Sequence, residues 1–461
     1  MPVNAQAAKP RVGVVGLAYP GYHLGEEMCP AKYREMLDLL AGEHLEIVTP
    51  DLLVYDEASA RKAGEQLQSA GVDCILGVLA TFVPDYFIVE LLDGCDVPIF
   101  LWAVEREIGC LALVCGPLVT ATLYNLGKRY QLYAADMPDE DTLDKLRIFT
   151  RAALMRRLLR DMRVGFCGGK CPIMFSLSVD EYAITQRLGM AVVNLPIEEF
   201  YRIAEGISEA EVNAYWQEMK ACVGQVCAPK ADGLLSSRYT LAAFRLAEEH
   251  RLDALSLNCF PNLKSRVCLA IARLNDAGIA AACEGDLNST ILMSMLQRVS
   301  GRPAFNGDFL RLYPEDNSIL FSHCGAGAFS LAPCASRVCL QASIETLDGL
   351  AVKYPADMPG PVTLVNMMMH QGSLRIAAIA GEGIETDLSY EGTPLRVRFK
   401  DDIQDILQGV SHCGAGHHWN GGAGDYLAEL GLLCEWLGLP FTLLPGARET
   451  TTRGLAIRAP V

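Results

Sequence analysis

Short unbroken runs of Val, Ile and Leu alternate with amphipathic stretches through the first two thirds of the chain. "RVGVVGLAY" (11–19) has the texture of a buried strand and runs into a Pro-Gly turn. "PAKYREMLDLLAGE" (30–43) has helical spacing and a stop at Gly42. "LEIVTP", the helical "EASARKAGEQLQSAG", "DCILGVL", "PDYFIVELLDG" and "VPIFLWAV" continue the alternation to residue 104. Strands apolar on both faces and separated by helices belong to a parallel sheet covered on both sides. The pattern therefore predicts an open, doubly wound α/β domain.

The alternation restarts after the charged helical stretch "DEDTLDKLRIFTRAALMRRLLRDM" (139–162). "RVGFCGG" (163–169) repeats the opening strand in kind, and helical and strand-like runs follow it to "IAAACEG" (279–285). Beyond about residue 330 the texture changes. "PVTLVNMMMH", "SLRIAAIAGEG" and "PLRVRFK" are short strands with Gly and Pro punctuation, and helical spacing nearly vanishes until "GDYLAELGLLCEWLG". The expected organisation is an N-terminal α/β domain over 1–160, a second α/β domain over 161–330 and a β-rich, barrel-like domain over 331–461. No repeat array of 20–50 residues is present. The hexapeptide "SHCGAG" occurs at 322–327 and again at 411–416. Chance recurrence of a small-residue turn is the simpler reading; two similar loops converging on one site is the other.

Charge and cysteine content narrow the class. A formal net charge of −16, with no basic cluster, argues against nucleic acid and anionic membrane surfaces as partners. The uncharged stretch "IGCLALVCGPLVTATLYNLG" (108–127) has the length of a membrane span. Gly116-Pro117 at its middle favours a strand, a turn and a buried helix instead. The 17 cysteines are scattered and no secretory h-region precedes them, so reduced thiols in a cytoplasmic protein are expected. Cys167 and Cys171 do not have zinc-pair spacing.

The stretch from 284 to 327 carries the candidate chemistry. Glu284 closes the apolar run "GIAAACE", Asp308 stands near the end of "PAFNGDF", and His323 ends "NSILFSH". Between the first two, Leu292, Met295, Leu296 and Val299 follow helical spacing up to Gly301. Ligands of parallel α/β sheets gather outside the carboxyl ends of strands, so these three groups are expected to share one cleft. Five of the eight histidines lie beyond residue 320: His323, His370, His412, His417 and His418. The last two sit in "GAGHHWNGGAG", where glycines let backbone approach a ligand closely. Two carboxylates with one or two imidazoles form a mixed oxygen and nitrogen donor set, which suits Mn²⁺, or Mg²⁺ or Co²⁺, and leaves positions for substrate oxygens. Each feature also has a plainer reading: a capping carboxylate, a surface His pair, or an anion-binding turn before a helix.

Several of these segments resemble a known family. "CEGDLNSTILMSMLQRVSGRPAFNGDF" resembles the L-arabinose isomerase stretch with Glu-Gly-Asp, a helix and Phe-x-x-Asp. "NSILFSHCGAGAFSLAP", "HHWNGGAGDYLAELGLLCEWLGLP", "PGYHLGEE" and "DEYAITQRLGMAVVNLPIEEF" are similar to its histidine-bearing strand, C-terminal His loop, N-terminal turn and second-domain entry. The chain as a whole resembles the L-fucose isomerase and L-arabinose isomerase superfamily. The resemblance implies two Rossmann-like domains followed by a C-terminal β-barrel. It also implies a Mn²⁺-dependent aldose–ketose isomerase acting on a sugar, assembled as a trimer or hexamer with active sites completed by a neighbouring subunit.

By the same resemblance, Glu284 and Asp308 are the acidic metal ligands and His418 the C-terminal histidine ligand, with His417 the alternative. His323 matches the extra histidine ligand of the arabinose branch. Gly307-Asp308 stands where arabinose isomerases carry Glu-Asp. The implied reaction is proton transfer between C1 and C2 through a cis-enediolate, with Glu284 as base and Asp308 assisting. Asp286, Asn306 and Trp419 are candidate substrate contacts, and His23 is a candidate contact to a neighbour's site. Pentose, 6-deoxyhexose, sugar acid and sulfonate substrates all fit, and Lys170, Arg187 and Arg311 are the cations available to a charged one. The rival readings are a sugar-binding protein without catalysis and a class II-type metal-dependent aldolase.

Overall fold

The structure, a computed structural model, describes residues 7–105, 110–343, 349–370, 372–387 and 392–445. The chain divides into two compact units. One is built on Lys9–Arg157 with Ala428–Trp436, the other on Leu158–Leu427 with the stretch from Leu437.

The first unit is the expected doubly wound domain. Strands β1 (Arg11–Leu17), β2 (Glu46–Val48), β3 (Cys74–Leu79), β4 (Ile99–Val104) and β5 (Tyr130–Ala135) form one parallel sheet in the order β2-β1-β3-β4-β5. Helices α1 (Cys29–Leu40), α2 (Glu57–Ala70), α3 (Asp85–Gly94), α4 (Ala112–Asn125) and α5 (Glu140–Arg160) alternate with them. Successive strand residues feed opposite faces, as the pleat requires. Val15 and Leu17 pack with Ala63, Phe87 and Val119. Val12 and Val14 pack with Met36, Phe149 and Trp436. Burial on both faces explains why β3 and β4 are apolar at every position, whereas the edge strands β2 and β5 carry Glu46 and Gln131. Helix α2 starts at an Asp56–Ser59 capping box and stops at Gly71 in left-handed geometry, as the sequence signals.

The uncharged stretch departs from expectation. Residues 106–109 lie outside the described set, and from Ala112 the chain is one helix with Pro117 inside it. Proline here removes the bond its missing N–H would have made to the carbonyl four residues back, and its ring crowds that carbonyl. Leu113, Val114, Leu118 and Tyr124 of this helix are 38–56% exposed. Among the described residues, no helix is long and apolar enough to cross a membrane.

The larger unit holds the second parallel sheet, β10-β9-β6-β7, from β6 (Arg163–Cys167), β7 (Ala191–Leu195), β9 (Ala254–Leu257) and β10 (Ala280–Ala282). Helices α6 (Glu181–Leu188), α7 (Ile197–Glu205), α8 (Glu209–Ala221), α9 (Lys230–Glu249) and α10 (Cys268–Asp276) belong to this part of the chain. The short β8 (Gln225–Val226) joins a separate three-stranded sheet with β13 (Cys339–Ala342) and β14 (Leu350–Lys353). After α11 (Leu287–Ser300) comes a ring of antiparallel strands: β11 (Phe305–Tyr313), β12 (Ser318–Ser322), β15 (Gly360–His370), β16 (Ser373–Ile384), β17 (Leu395–Arg398) and β18 (Trp419–Ala423). The ring closes because β15 pairs with both β16 and β18, leaving β19 (Phe441–Leu443) as a parallel addition on β16. Phe305, Phe321, Leu364, Ala377, Val397 and Trp419 share its core.

Two local expectations change. Helix α12 (Ile403–Cys413) occupies a stretch with no helix expected, although Ile403, Ile406 and Val410 do follow helical spacing. Helix α13 (Leu427–Leu437) follows it as anticipated. The two "SHCGAG" copies take different structures. The first leaves β12 as a loop, and the second is the last turn of α12 and its Gly414 cap.

Candidate functional site

Glu284 stands two residues past β10, at the carboxyl end of the second parallel sheet. Its backbone is left-handed (φ 61°), a conformation costing about 1–2 kcal/mol for a residue with a side chain. The surroundings hold it there. The Glu284 carbonyl accepts from Cys171 N at 2.8 Å, and Glu284 N donates to Cys259 Sγ at 3.2 Å. Asn258 Nδ2 braces the facing loop by donating to the carbonyls of Gly169 (2.8 Å) and Lys170 (3.1 Å). The next residue must be glycine: a Cβ on Gly285 would lie 2.0 Å from the Gly169 oxygen.

Asp308 and His323 meet for a reason the sequence pattern did not carry. Their strands are not parallel neighbours ending in a common cleft; β11 and β12 are antiparallel, and Asp308 is in the body of β11. The register pairs Asp308 with Ser322, so His323 follows directly. On the other side of β11, Gly307 pairs with Trp419, and one more step sets His418 opposite Asp308. β11 thus carries one carboxylate between two histidine-bearing neighbours.

The side chains converge. His418 Nε2 lies 3.3 Å from Glu284 Oε2 and 3.3 Å from His323 Nε2. His323 Nε2 lies 4.0 Å from Glu284 Oε1 and 3.9 Å from Asp308 Oδ2. The imidazoles are deep (side-chain exposure 7% and 3%), whereas Glu284 and Asp308 are more open (16% and 28%). His417 is exposed, its ring centroid lies 4.2 Å from that of His418 with the planes tilted by 40°, and it places a ring nitrogen near Asp308 and His418.

His418 is oriented from behind. Asp286 caps α11, accepting from Ser289 N at 2.9 Å, and its Oδ2 accepts from His418 Nδ1 at 2.8 Å. A carboxylate partner fixes the proton on Nδ1 and turns Nε2 toward Glu284. Asp286, expected at the substrate, is instead buried beneath the ring. Asn366 Nδ2 donates to the His418 carbonyl at 2.6 Å, and Asn420 joins Ser289 Oγ (3.1 Å) to Asn306 (3.2 Å). Asn366, Asn420 and Ser289 carry little signal in the sequence: the two asparagines are amides inside otherwise apolar strands, and Ser289 is one polar residue in the first turn of α11. Trp419 is 1% exposed and stacks on Phe309 in the ring core. His23 belongs to the first unit, is exposed, and pairs with Glu26 at 3.3 Å. Lys170 lies in the loop facing Glu284 and donates to the Met174 carbonyl at 3.1 Å. Arg311 covers the Tyr313 ring, and Arg187 lies against Gly438.

Charges at the site are strongly coupled. Burial pulls His418 down, but the hydrogen bond to Asp286 and the Glu284 carboxylate beside Nε2 outweigh it and lift it to about 9. Burial raises Glu284 and Asp286, yet the adjacent imidazoles hold both below their ordinary values. His323 is pulled down by burial and raised well above its ordinary value by Cys324, Asp308 and Glu284.

The donor atoms of Glu284, His323 and His418, and those of Asp308, His417 and His418, lie within 4.8 Å of one another. Among the described residues, Glu284 Oε2 and Asp308 Oδ1 are buried and make no hydrogen bond. Buried carboxylate oxygens without partners are costly unless a cation takes them. The cluster could therefore hold a metal ion.

No protein-family model matches the chain. The sulfoquinovose isomerase of Priestia aryabhattai is 24% identical over 422 residues, 87% of this chain and 92% of its own length. That of Clostridium sp. (strain MSTE9) is 22% identical, covering 93% and 98%. L-arabinose isomerase of Escherichia coli O7:K1 is 23% identical over 198 residues, 40% of each chain. An ABC transporter solute binding protein from Burkholderia multivorans superposes with a TM-score of 0.18 at 14% identity, over 64% of this chain and 95% of its own, too poorly to bear on fold or function. End-to-end similarity to two sulfoquinovose isomerases, with the partial match to the arabinose enzyme, shows distant homology to sugar aldose–ketose isomerases.

Proposed function

We propose that the chain is an aldose–ketose isomerase that moves a proton between C1 and C2 of an open-chain sugar. The observation that supports it best is the convergence of Glu284, Asp308, His323 and His418, with two buried carboxylate oxygens left without hydrogen bonds. Mixed oxygen and nitrogen donors fit Mn²⁺, held by Glu284, Asp308, His418 and His323. When bound, such an ion supplies Lewis acidity that acidifies the C–H beside a carbonyl. Glu284, more open than the imidazoles below it, removes the proton from one carbon and returns it to the other. Asp308 takes and returns the hydroxyl proton. Asp286 holds His418 with Nε2 turned to the site.

The relatives favour a sulfonated sugar as substrate, and Lys170, on the loop that faces Glu284, is the cation we assign to its anionic end. Self-association fits the exposed apolar residues of α4, and light scattering measures it.

The test is a panel of aldoses, ketoses and sulfonated sugars followed by NMR in D₂O with Mn²⁺. Turnover with deuterium gain at C1 or C2 is expected, and it is lost on chelation and in Glu284→Gln. Unchanged turnover in that variant overturns the reading, and product analysis separates isomerisation from carbon–carbon cleavage.

A further inference from the structure

Behind the carboxylates lies a second group of donors that this reaction does not use. Cys283 precedes Glu284, and Cys324 follows His323. Their sulfurs lie 3.5 and 3.1 Å from His323 Nδ1, the ring nitrogen opposite the one that faces Glu284 and Asp308. The three donor atoms fall within 4.8 Å of one another. Cys259 hydrogen-bonds with Cys283 and Cys268 with Cys324, so two further thiols stand behind the pair at the imidazole. Scattered buried cysteines behave as small hydrophobes; two thiols set against one ring nitrogen form a soft donor set.

We propose that Cys283, Cys324 and Nδ1 of His323 form a thiolate site for a soft metal ion, zinc being the simplest occupant, which competes with the oxygen-rich centre for the same imidazole. On binding, the two thiols release their protons and two Zn–S bonds form. A third bond uses the lone pair of Nδ1. A neutral imidazole has one such lone pair, so the ring proton then sits on Nε2. That nitrogen can no longer donate to a cation among Glu284, Asp308 and His418. Zinc on the sulfur side thus disarms the oxygen side without touching a carboxylate. The proposal shares His323 with the isomerase reading but stands without it.

The exposed Cys227 and half-buried Cys339, 3.8 Å apart, are a second place where thiols could take zinc, so Cys227→Ser is the background. Chelator-treated, phosphine-reduced protein is titrated with Co²⁺ in excess Mg²⁺. A near-ultraviolet thiolate-to-cobalt band saturating at one ion per chain is expected, displaced by zinc and lost in Cys283→Ser and in Cys324→Ser. Absence of the band, or its survival undiminished in both variants, overturns the site. Should the variants fail to fold, X-ray absorption of the zinc-loaded background protein decides: sulfur neighbours support the site, and an oxygen and nitrogen shell alone overturns it. Zinc is also expected to weaken Mn²⁺ binding about 10–100-fold, and unchanged Mn²⁺ affinity overturns the competition. None of these readouts requires that any sugar be turned over.

Discussion

Replacing Asp286 with Asn exchanges one oxygen for an NH₂ group at almost constant volume. Oδ1 can still accept from Ser289 N, and Asn caps a helix about as well as Asp, so α11 keeps its start. The other atom faces His418 Nδ1 at 2.8 Å and Ser289 Oγ at 2.6 Å. An NH₂ there donates, and the Nδ1 proton has nowhere to go. The ring must either lose that bond or move its proton to Nε2, where a cation needs the lone pair. Hydrogen bonds to a charged group contribute about 1.5–3 kcal/mol, or about 10–100-fold in affinity at 1.4 kcal/mol per decade. Calorimetric titration of Mn²⁺ into wild type, Asp286→Asn and Asp286→Ala reads this directly. The dissociation constant is expected to rise about 10–100-fold in Asp286→Asn. In urea, Asp286→Ala should be less stable than Asp286→Asn by about 1 kcal/mol, the value of the cap it also loses. An Asp286→Asn affinity within a factor of two of wild type refutes the idea that this carboxylate sets the donor nitrogen.

Two further expectations concern stability. Phe321 is fully buried and meets Phe305 edge-on at 5.3 Å in the ring core, so Phe321→Ala should cost about 3–5 kcal/mol by urea denaturation; a loss below about 1 kcal/mol would mean the ring is not packed around it. In metal-free protein, His418, raised from its ordinary 6.5 to about 9, contributes stability that is full below the lower value and lost as pH climbs through the higher one. Glu284 and Asp286, both lowered, contribute above their ordinary values and lose that contribution as pH falls through their depressed ones. Unfolding free energy should therefore decline from neutral toward alkaline pH, and an equal decline in His418→Gln would show that another group is responsible.

Much of the layout was legible because burial leaves a local signature. Val12, Val14, Val15 and Leu17 are apolar because both faces of β1 are covered, and that can be seen without knowing what covers them. Glu284 was legible in the same way, as a charge terminating an apolar run. For Asp308 and His323 the sequence pattern suggests strand ends of a parallel sheet, whereas the two lie on antiparallel neighbours. Their meeting depends on antiparallel pairing of β11 with β12, and register between strands is a long-range fact that local hydrophobicity does not encode. The same holds for β18, which brings His418 to the other flank of β11. Asp286 carried a visible helix-start signal but no hint that its second oxygen serves a histidine 132 positions away. The four clustered thiols lay among 17 cysteines whose spacing matched no known pattern, because the fold, not the spacing, gathers them.

Gly285 pressed against Gly169 ties the Glu284 loop to the second parallel sheet, while Asp308, His323 and His418 ride on the closed ring. The span between the two carboxylates is thus a caliper whose jaws belong to different layers. For an ion held between them, size would be gauged by how those layers seat, so a substitution in the seam is expected to retune which cation binds while the donor residues stay as they were.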